Sequence, residues 1–136
     1  MIMEEINMNR SELREIIIKI LYQVYIYKEK NIDFSVNDLI KEQLDRKNEF
    51  VENSINGVIE NQDKISFIAN KYMKNWDISR IDKTGAAILK MAIYELKYTD
   101  TPHIVVINEA VELAKKYSDD AVRKIINAVL DKMIKE

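Results

Sequence analysis

The most hydrophobic stretch of the chain is IDKTGAAILKMAIYELKY, residues 81–98. At about 100° per residue, the apolar residues of this stretch fall on one side of a helix. They are Ile81, Ile88, Leu89, Ala92, Ile93 and Leu96. Ser79 and Asp82 precede them and are typical helix-capping side chains. The pattern predicts a central helix against which the other helices pack.

The same periodicity extends in both directions. Asn9 and Glu12 resemble a capping box, and the apolar spacing behind them predicts a first helix from about Arg10 to Lys28. Short helices follow, with a break at 61–63, and the fourth helix of the chain is expected to carry Trp76 on its apolar stripe. Pro102 separates the central helix from two closing helices, and the first of these is expected to bury Tyr117 in the core. We predict an all-α, compact single-domain bundle of about seven helices over residues 1–136.

Composition supports this fold class. The chain has 136 residues, of which 47% are hydrophobic and 32% charged, and this suits one domain with a single core. It contains only two glycines and one proline, whereas a fold with many strands needs more turn residues. An all-β architecture is therefore excluded.

Residue content also limits the chemistry. There is no cysteine, and His103 is the single imidazole, so disulfides, thiolate zinc sites and cysteine nucleophiles are excluded. The acidic pairs Glu109/Glu112 and Asp119/Asp120 are interpreted as capping or solvent-exposed groups. We expect no catalytic residue, no metal site and no cofactor, and hence a protein that is not an enzyme.

Charge does not by itself indicate a partner. The 21 basic and 23 acidic side chains leave a formal net charge of −2, so any basic feature must be a local face. No apolar run reaches the roughly 20 residues that span a bilayer, and the first residues lack a basic secretory start. We expect a soluble cytoplasmic protein that has no contact with a membrane.

A second side of the first helix carries Arg14, Ile18, Tyr22 and Tyr25, and Arg10 and Lys19 flank it. An arginine beside tyrosine rings suits RNA or a protein partner. Burial beneath another helix of the bundle explains the same pattern. Both interpretations stay open at this point.

The central helix has a comparable second side, with Lys83, Lys90, Tyr94 and Lys97 in a narrow sector opposite its apolar stripe. Three cations and a ring could follow a phosphate backbone. A solvated lysine face is the alternative, because lysines often occupy exposed helix positions.

The stretch AAILKMAIYELKYTDTPHIVVINEAVELAKKYSDD, residues 86–120, resembles the family of the bacterial transcription antitermination factor NusB, as does INAVLDK at 126–132. LYQ at 21–23, Gly57 with Val58, and Trp76 with Arg80 occur in the same order. The resemblance covers nearly the whole chain. It implies an all-helical RNA-binding adaptor that joins the ribosomal protein NusE on the boxA element of ribosomal RNA leaders. Other Nus factors and RNA polymerase are the further partners it implies.

The resemblance also implies roles for individual residues. The family's arginine-rich start of helix one corresponds to Arg10 and Arg14, which together with Lys19 and Asn127 are the expected RNA contacts. Tyr22 matches the family tyrosine near the NusE interface, and Ile18 and Tyr25 are expected to share that surface. The INEA motif at 107–110 has either a contact role or a helix-fixing role. The alternative hypothesis is a module of the same fold that only binds proteins, or that forms a homodimer.

Overall fold

The computed structural model describes residues 8–74 and 76–136. Within them the chain forms seven α-helices and one 3₁₀ turn. The α-helices are α1 (Arg10–Glu29), α2 (Val36–Gln43), α3 (Glu49–Glu60), α4 (Gln62–Tyr72), α5 (Lys83–Tyr98), α6 (His103–Tyr117) and α7 (Asp120–Lys135). The 3₁₀ turn spans Ile78–Arg80. The predicted all-α bundle is confirmed.

Polar caps explain where the helices begin. Asn9 and Glu12 form the predicted capping box, in which each side chain accepts a hydrogen bond from the other residue's backbone N–H. Asp82 accepts from Gly85 N at 2.7 Å and thereby starts α5. Asp119 accepts from Val122 N at 2.8 Å and starts α7. These side chains satisfy N–H groups that have no partner inside their own helix.

Helix α5 lies at the centre of the bundle, as predicted. It packs against α1, α3, α4, α6 and α7. Its side chains Ile88, Leu89 and Ile93 are fully buried, and each such burial contributes about 1.5–3 kcal/mol. Gly57 lets α3 approach α5 closely, because a methyl group there would collide with the Tyr94 ring.

Two expectations about the core are wrong. Helix α4 ends at Tyr72, and Trp76 lies beyond it with 49% of its surface exposed. The backbone folds back after α4 because Ile78 N donates to Asn70 Oδ1 at 2.8 Å. Tyr117, expected in the core, is 40% exposed because its hydroxyl reaches Glu15 at the surface.

No helix in the described part of the chain is both long enough and apolar enough to cross a membrane.

Candidate RNA-binding and partner-binding surfaces

Arg14 of α1 forms a buried ion pair with Glu95 of α5. Its Nε and Nη2 atoms donate to the two carboxylate oxygens of Glu95 at 3.0 and 2.8 Å. Only 2% of Arg14 and 1% of Glu95 is exposed. The forked guanidinium matches the planar carboxylate, so the pair fixes both the spacing and the rotation of α1 against α5.

Glu109 of α6 extends this network towards the surface. Its Oε1 atom accepts a hydrogen bond from Arg14 Nη1 at 3.0 Å and another from the hydroxyl of Ser11. The first turn of α1 is thereby joined to α6. Of the two roles left open for the INEA motif, the structure gives Glu109 the helix-fixing one.

The expectation that Arg14 stands on an RNA-facing surface is wrong. Two carboxylates occupy its guanidinium in the interior, so it is not accessible to a phosphate. The sequence did not lead us to Glu95 as the partner of Arg14, although it contained a signal for a buried ion pair. Glu95 is an acid within the most hydrophobic helix, and a buried carboxylate requires a cation or several hydrogen-bond donors.

Arg10 lies one turn before Arg14 and remains exposed. Its guanidinium sits 4.0 Å above the centre of the Phe50 ring of α3, which holds the group by a cation–π contact. No ion pair joins Arg10 to any residue in the described ranges 8–74 and 76–136. Among the described residues its N–H donors thus have no acidic side chain as partner.

The Tyr22 groove lies between α1, α5 and the end of α6. It has a volume of about 260 Å³ and contains three of the predicted contact residues, Ile18, Lys19 and Tyr22. Its remaining lining residues are Glu15, Gln23, Gln43, Thr84 and Tyr117. Ile18 is buried at its base, whereas Tyr22 is 40% exposed. Burial, the open alternative for this side of α1, therefore applies to Ile18 and Arg14 but not to Tyr22.

Glu15 carries a negative charge on the rim of the Tyr22 groove. It accepts hydrogen bonds from the Tyr117 hydroxyl and from Lys116 Nζ, the latter at 3.0 Å. The hydrogen bond from Tyr117, followed by that from Lys116, lowers the pKa of Glu15 below its usual value. The carboxylate therefore stays ionised at neutral pH.

Gln23 contributes an unsatisfied polar atom to the Tyr22 groove. Its side-chain oxygen Oε1 is buried, and no hydrogen-bond donor reaches it from the described residues. A buried acceptor without a donor costs about 1–3 kcal/mol. A donor brought by a partner would remove that cost.

Tyr25 lies in a different depression, the Lys90 groove, between α1, α3 and α5. This groove has a volume of about 350 Å³, and Lys28, Glu29, Lys83 and Lys90 also line it. The predicted tyrosine surface of α1 is thus divided between two grooves. The sector predicted on α5 is divided as well: Lys97 is exposed, Tyr94 is held against Gly57, and Lys90 is buried. This side of α5 is therefore neither a continuous track for a phosphate backbone nor a face that is fully exposed to solvent.

Asn127 is exposed on α7, between the buried Ile126 and the exposed Ala128. No hydrogen bond joins the side-chain amide of Asn127 to another residue in the described part of the chain. The structure thus brings Ile18, Lys19 and Tyr22 together and leaves Arg10, Tyr25 and Asn127 at separate positions. Within residues 8–74 and 76–136 no group of three or more metal-ligating side chains is present.

Comparison with known proteins agrees with this fold. Residues 11–135 match the NusB family. The transcription antitermination protein NusB of Acetivibrio thermocellus is 40% identical over 130 residues, covering 94% of this chain and 90% of that protein.

Two solved structures share the architecture. The T. maritima NusB structure is 27% identical with a TM-score of 0.80, covering 95% of this chain and 92% of that one. A structure of antitermination factors NusB and NusE in complex with dsRNA is 22% identical with a TM-score of 0.74, covering 93% of this chain and 96% of that one. At that identity the second likeness shows the fold alone. The family match spans nearly the entire sequence, and the chain therefore belongs to the NusB family.

Proposed function

We propose that this protein is an RNA-binding adaptor in transcription antitermination, which holds the boxA sequence of nascent ribosomal RNA together with NusE. The observation that carries the proposal is the match, over 94% of the chain, to a protein named transcription antitermination protein NusB. Other Nus factors and RNA polymerase complete the assembly. The protein acts by binding and not by catalysis, in the cytoplasm, where nascent ribosomal RNA is made.

On the RNA side, Arg10, Lys19 and Asn127 are the proposed contacts. Arg10 is exposed and held over Phe50, so less side-chain entropy is lost when its guanidinium binds a phosphate. Lys19 and Asn127 are also exposed. Arg14 is a positioning residue here, because its pairs with Glu95 and Glu109 fix the turn that presents Arg10.

On the protein side, NusE occupies the Tyr22 groove. Tyr22 offers a half-exposed ring, Ile18 an apolar base, and Gln23 a buried acceptor that lacks a donor. This combination of ring, apolar pocket and polar anchor is typical of a protein interface. Tyr25 lines the Lys90 groove and not the Tyr22 groove, so it lies outside this surface. Lys19 lies in the groove itself, so RNA crossing from NusE would meet it.

The decisive experiment measures boxA RNA binding by fluorescence anisotropy, with and without NusE, at salt concentrations from about 50 to 200 mM. We expect weak binding by the protein alone, strengthened about tenfold by NusE because the two proteins share RNA contacts. The absence of both NusE enhancement and preference for boxA over a scrambled RNA would contradict the proposal.

Variants separate the two surfaces. Arg10→Gln should weaken RNA binding and lower the salt slope by about one, whereas binding to NusE stays unchanged. Tyr22→Ala should weaken NusE binding and leave the weak intrinsic RNA affinity in place. Lys41→Gln, an exposed change on α2, is the matched control and should alter neither.

A second candidate function is a module that binds only proteins, including a homodimer formed through the Tyr22 groove. The burial of Arg14 favours it, since α1 then presents fewer cations than the sequence suggested. Replacing Arg10 and Lys19 together tests this candidate without disturbing the buried network. The absence of boxA binding by the wild type, or concentration-dependent dimerisation abolished by Tyr22→Ala, would favour the second function. RNA binding that is unaffected by the double change would instead place the RNA surface elsewhere and leave this side of α1 to protein contacts.

A further inference from the structure

Lys90 is a buried cation that receives no anionic partner from the described part of the chain. Only 7% of its surface is exposed, although lysine is almost never buried unless it is paired. No hydrogen bond or ion pair joins its ammonium to a residue within 8–74 or 76–136. Its ammonium lies over the face of the Tyr25 ring, 5.3 Å from Nζ to the ring centre.

Further cations line the same groove. Lys28 and Lys83 line it together with Lys90, and Glu29 is the one acid among the described residues that line it. Lys83 Nζ donates to Glu29 at 2.7 Å and lies 5.7 Å from the centre of the Tyr25 ring. Three ammonium groups against one carboxylate leave the lining with an excess positive charge. Burial, with the nearby charge of Lys28 as a smaller cause, lowers the pKa of Lys90.

We propose that the Lys90 groove binds a phosphate group, which is coordinated by Lys90 and Lys28 and supported by Lys83. Its volume of about 350 Å³ lies in the range of small-ligand sites and accommodates a phosphate with an attached sugar. A phosphate would provide the anionic oxygen that the buried ammonium of Lys90 does not receive from the described residues. Gln62 also lines this groove.

This site is separate from the RNA contact proposed at Arg10. Lys28 follows Arg10 by 18 residues in the same helix, which places the two about 27 Å apart along α1. The proposal does not depend on the antitermination role. The phosphate can belong to RNA or to a free nucleotide or ion, and the experiment distinguishes these sources.

The first arm uses inorganic phosphate and pyrophosphate with protein labelled at the lysine Cε carbons. Titration followed by NMR should shift the Lys90 and Lys28 signals and raise the pKa of Lys90, because a bound anion favours the ammonium form. Lys90→Met keeps the length of the side chain and should weaken phosphate binding about tenfold or more. Lys41→Met is the matched control and should leave phosphate binding intact.

Glu29→Gln tests the proposal in the opposite direction. It removes the single acid from the groove and frees Lys83, so phosphate should bind more tightly. A damaged fold cannot produce that gain, which keeps the proposal testable if Lys90→Met unfolds. Unchanged lysine signals at about 10 mM phosphate, or equal binding by the wild type and Lys90→Met, would overturn the proposal.

The second arm adds short single-stranded RNA to the phosphate-bound protein. Displacement of phosphate by RNA, with a salt slope that falls by about one in Lys90→Met, assigns the site to an RNA phosphodiester. Displacement by nucleotides but not by RNA assigns it to a small phosphate ligand. Arg10→Gln should not change phosphate binding in this groove, so failure of the proposed antitermination role and failure of this site give different results.

Discussion

Two cations are buried where α1 packs on α5, and their surroundings differ. Arg14 places three donor atoms on two carboxylates, those of Glu95 and Glu109. Lys90 faces the Tyr25 ring and a groove that contains other lysines. A cation whose donors are satisfied inside the protein stabilises the fold, whereas a buried cation without an anion is available to a ligand. The position of a cation along its helix does not show whether it is satisfied inside the protein or available to a ligand.

The largest expected effect comes from breaking the satisfied pair. Arg14→Met leaves the Glu95 carboxylate buried without a cation, so the free energy of unfolding should fall by about 3–5 kcal/mol. Urea denaturation measures the change. The double variant Arg14→Met/Glu95→Met should recover part of the loss, since it leaves no buried charge at that position.

Arg123→Met is the matched control for this pair. It breaks the solvent-accessible pair with Asp120, in which Arg123 Nη2 lies 2.7 Å from Asp120 Oδ1, and should cost about 0–1 kcal/mol. A loss of similar size for Arg14→Met would mean that the buried network does not hold α1 in place.

Lys90→Met should act in the opposite direction. It removes a desolvated charge that has no partner and keeps the apolar stem, so stability should stay constant or rise by about 1 kcal/mol. Urea denaturation in a buffer free of phosphate measures it, and Lys41→Met at the surface should give no change. Destabilisation as large as that of Arg14→Met would show that the two buried cations are equivalent, which would remove the basis of the comparison.

Features that depend on residues close together in the chain could be predicted from the sequence. Whether each cation is buried or exposed could not. The capping side chains Asn9, Asp82 and Asp119 act within three residues of their own positions, and they were identified before the structure was known. The apolar stripe that places α5 at the centre is equally local. Predicting the burial of Arg14 required knowing that Glu95 and Glu109, more than eighty residues away, meet it in space.

The candidate site shows the same limit. Tyr22 and Tyr25 share one side of α1 by helical angle, but they lie in different grooves because α3 and α5 close over the second part of that side. Helical angle likewise places Lys90 on an outer side of α5, because it does not show that other helices cover this position. Glu95 within an apolar helix was the one sequence signal that could have indicated a buried cation.

A smaller effect is expected from pH. The lowered pKa of Lys90 means that the unfolded chain binds more protons than the folded one between that pKa and the usual lysine value of about 10.4. In that range the wild type should gain stability relative to Lys90→Met as pH rises. Urea midpoints of both proteins, measured from about pH 7 to pH 10, test the difference, because the other titrating groups are shared. A constant difference across this range would show that Lys90 keeps an ordinary pKa.

The smallest expected effect concerns the carboxylate of Glu15, which is partly exposed to solvent. The Tyr117 hydroxyl is the main cause of the lowered pKa of Glu15, so Tyr117→Phe should move that pKa back towards the usual glutamate value. Glu15 stabilises the fold at pH values above its unfolded pKa, and this stabilisation is lost as the pH falls through the lowered folded pKa. In Tyr117→Phe the folded pKa should lie closer to the unfolded one, so the pH interval between the two should be narrower. The loss of stability should be less than about 1 kcal/mol, because Lys116 and water still solvate the carboxylate.

Carbon NMR of the Glu15 carboxylate during acid titration measures this shift, and Tyr98→Phe, which changes another exposed tyrosine, is the control. An unchanged Glu15 pKa in Tyr117→Phe would mean that Lys116 alone holds the charge. Glu15 lines the Tyr22 groove, but Tyr117→Phe leaves its carboxylate ionised at neutral pH, so a test of the negative rim needs the charge removed. Weaker NusE binding by Glu15→Gln without a change in fold, together with nearly unchanged binding by Tyr117→Phe, would assign the rim charge to the interface, since an ionised carboxylate attracts cationic side chains.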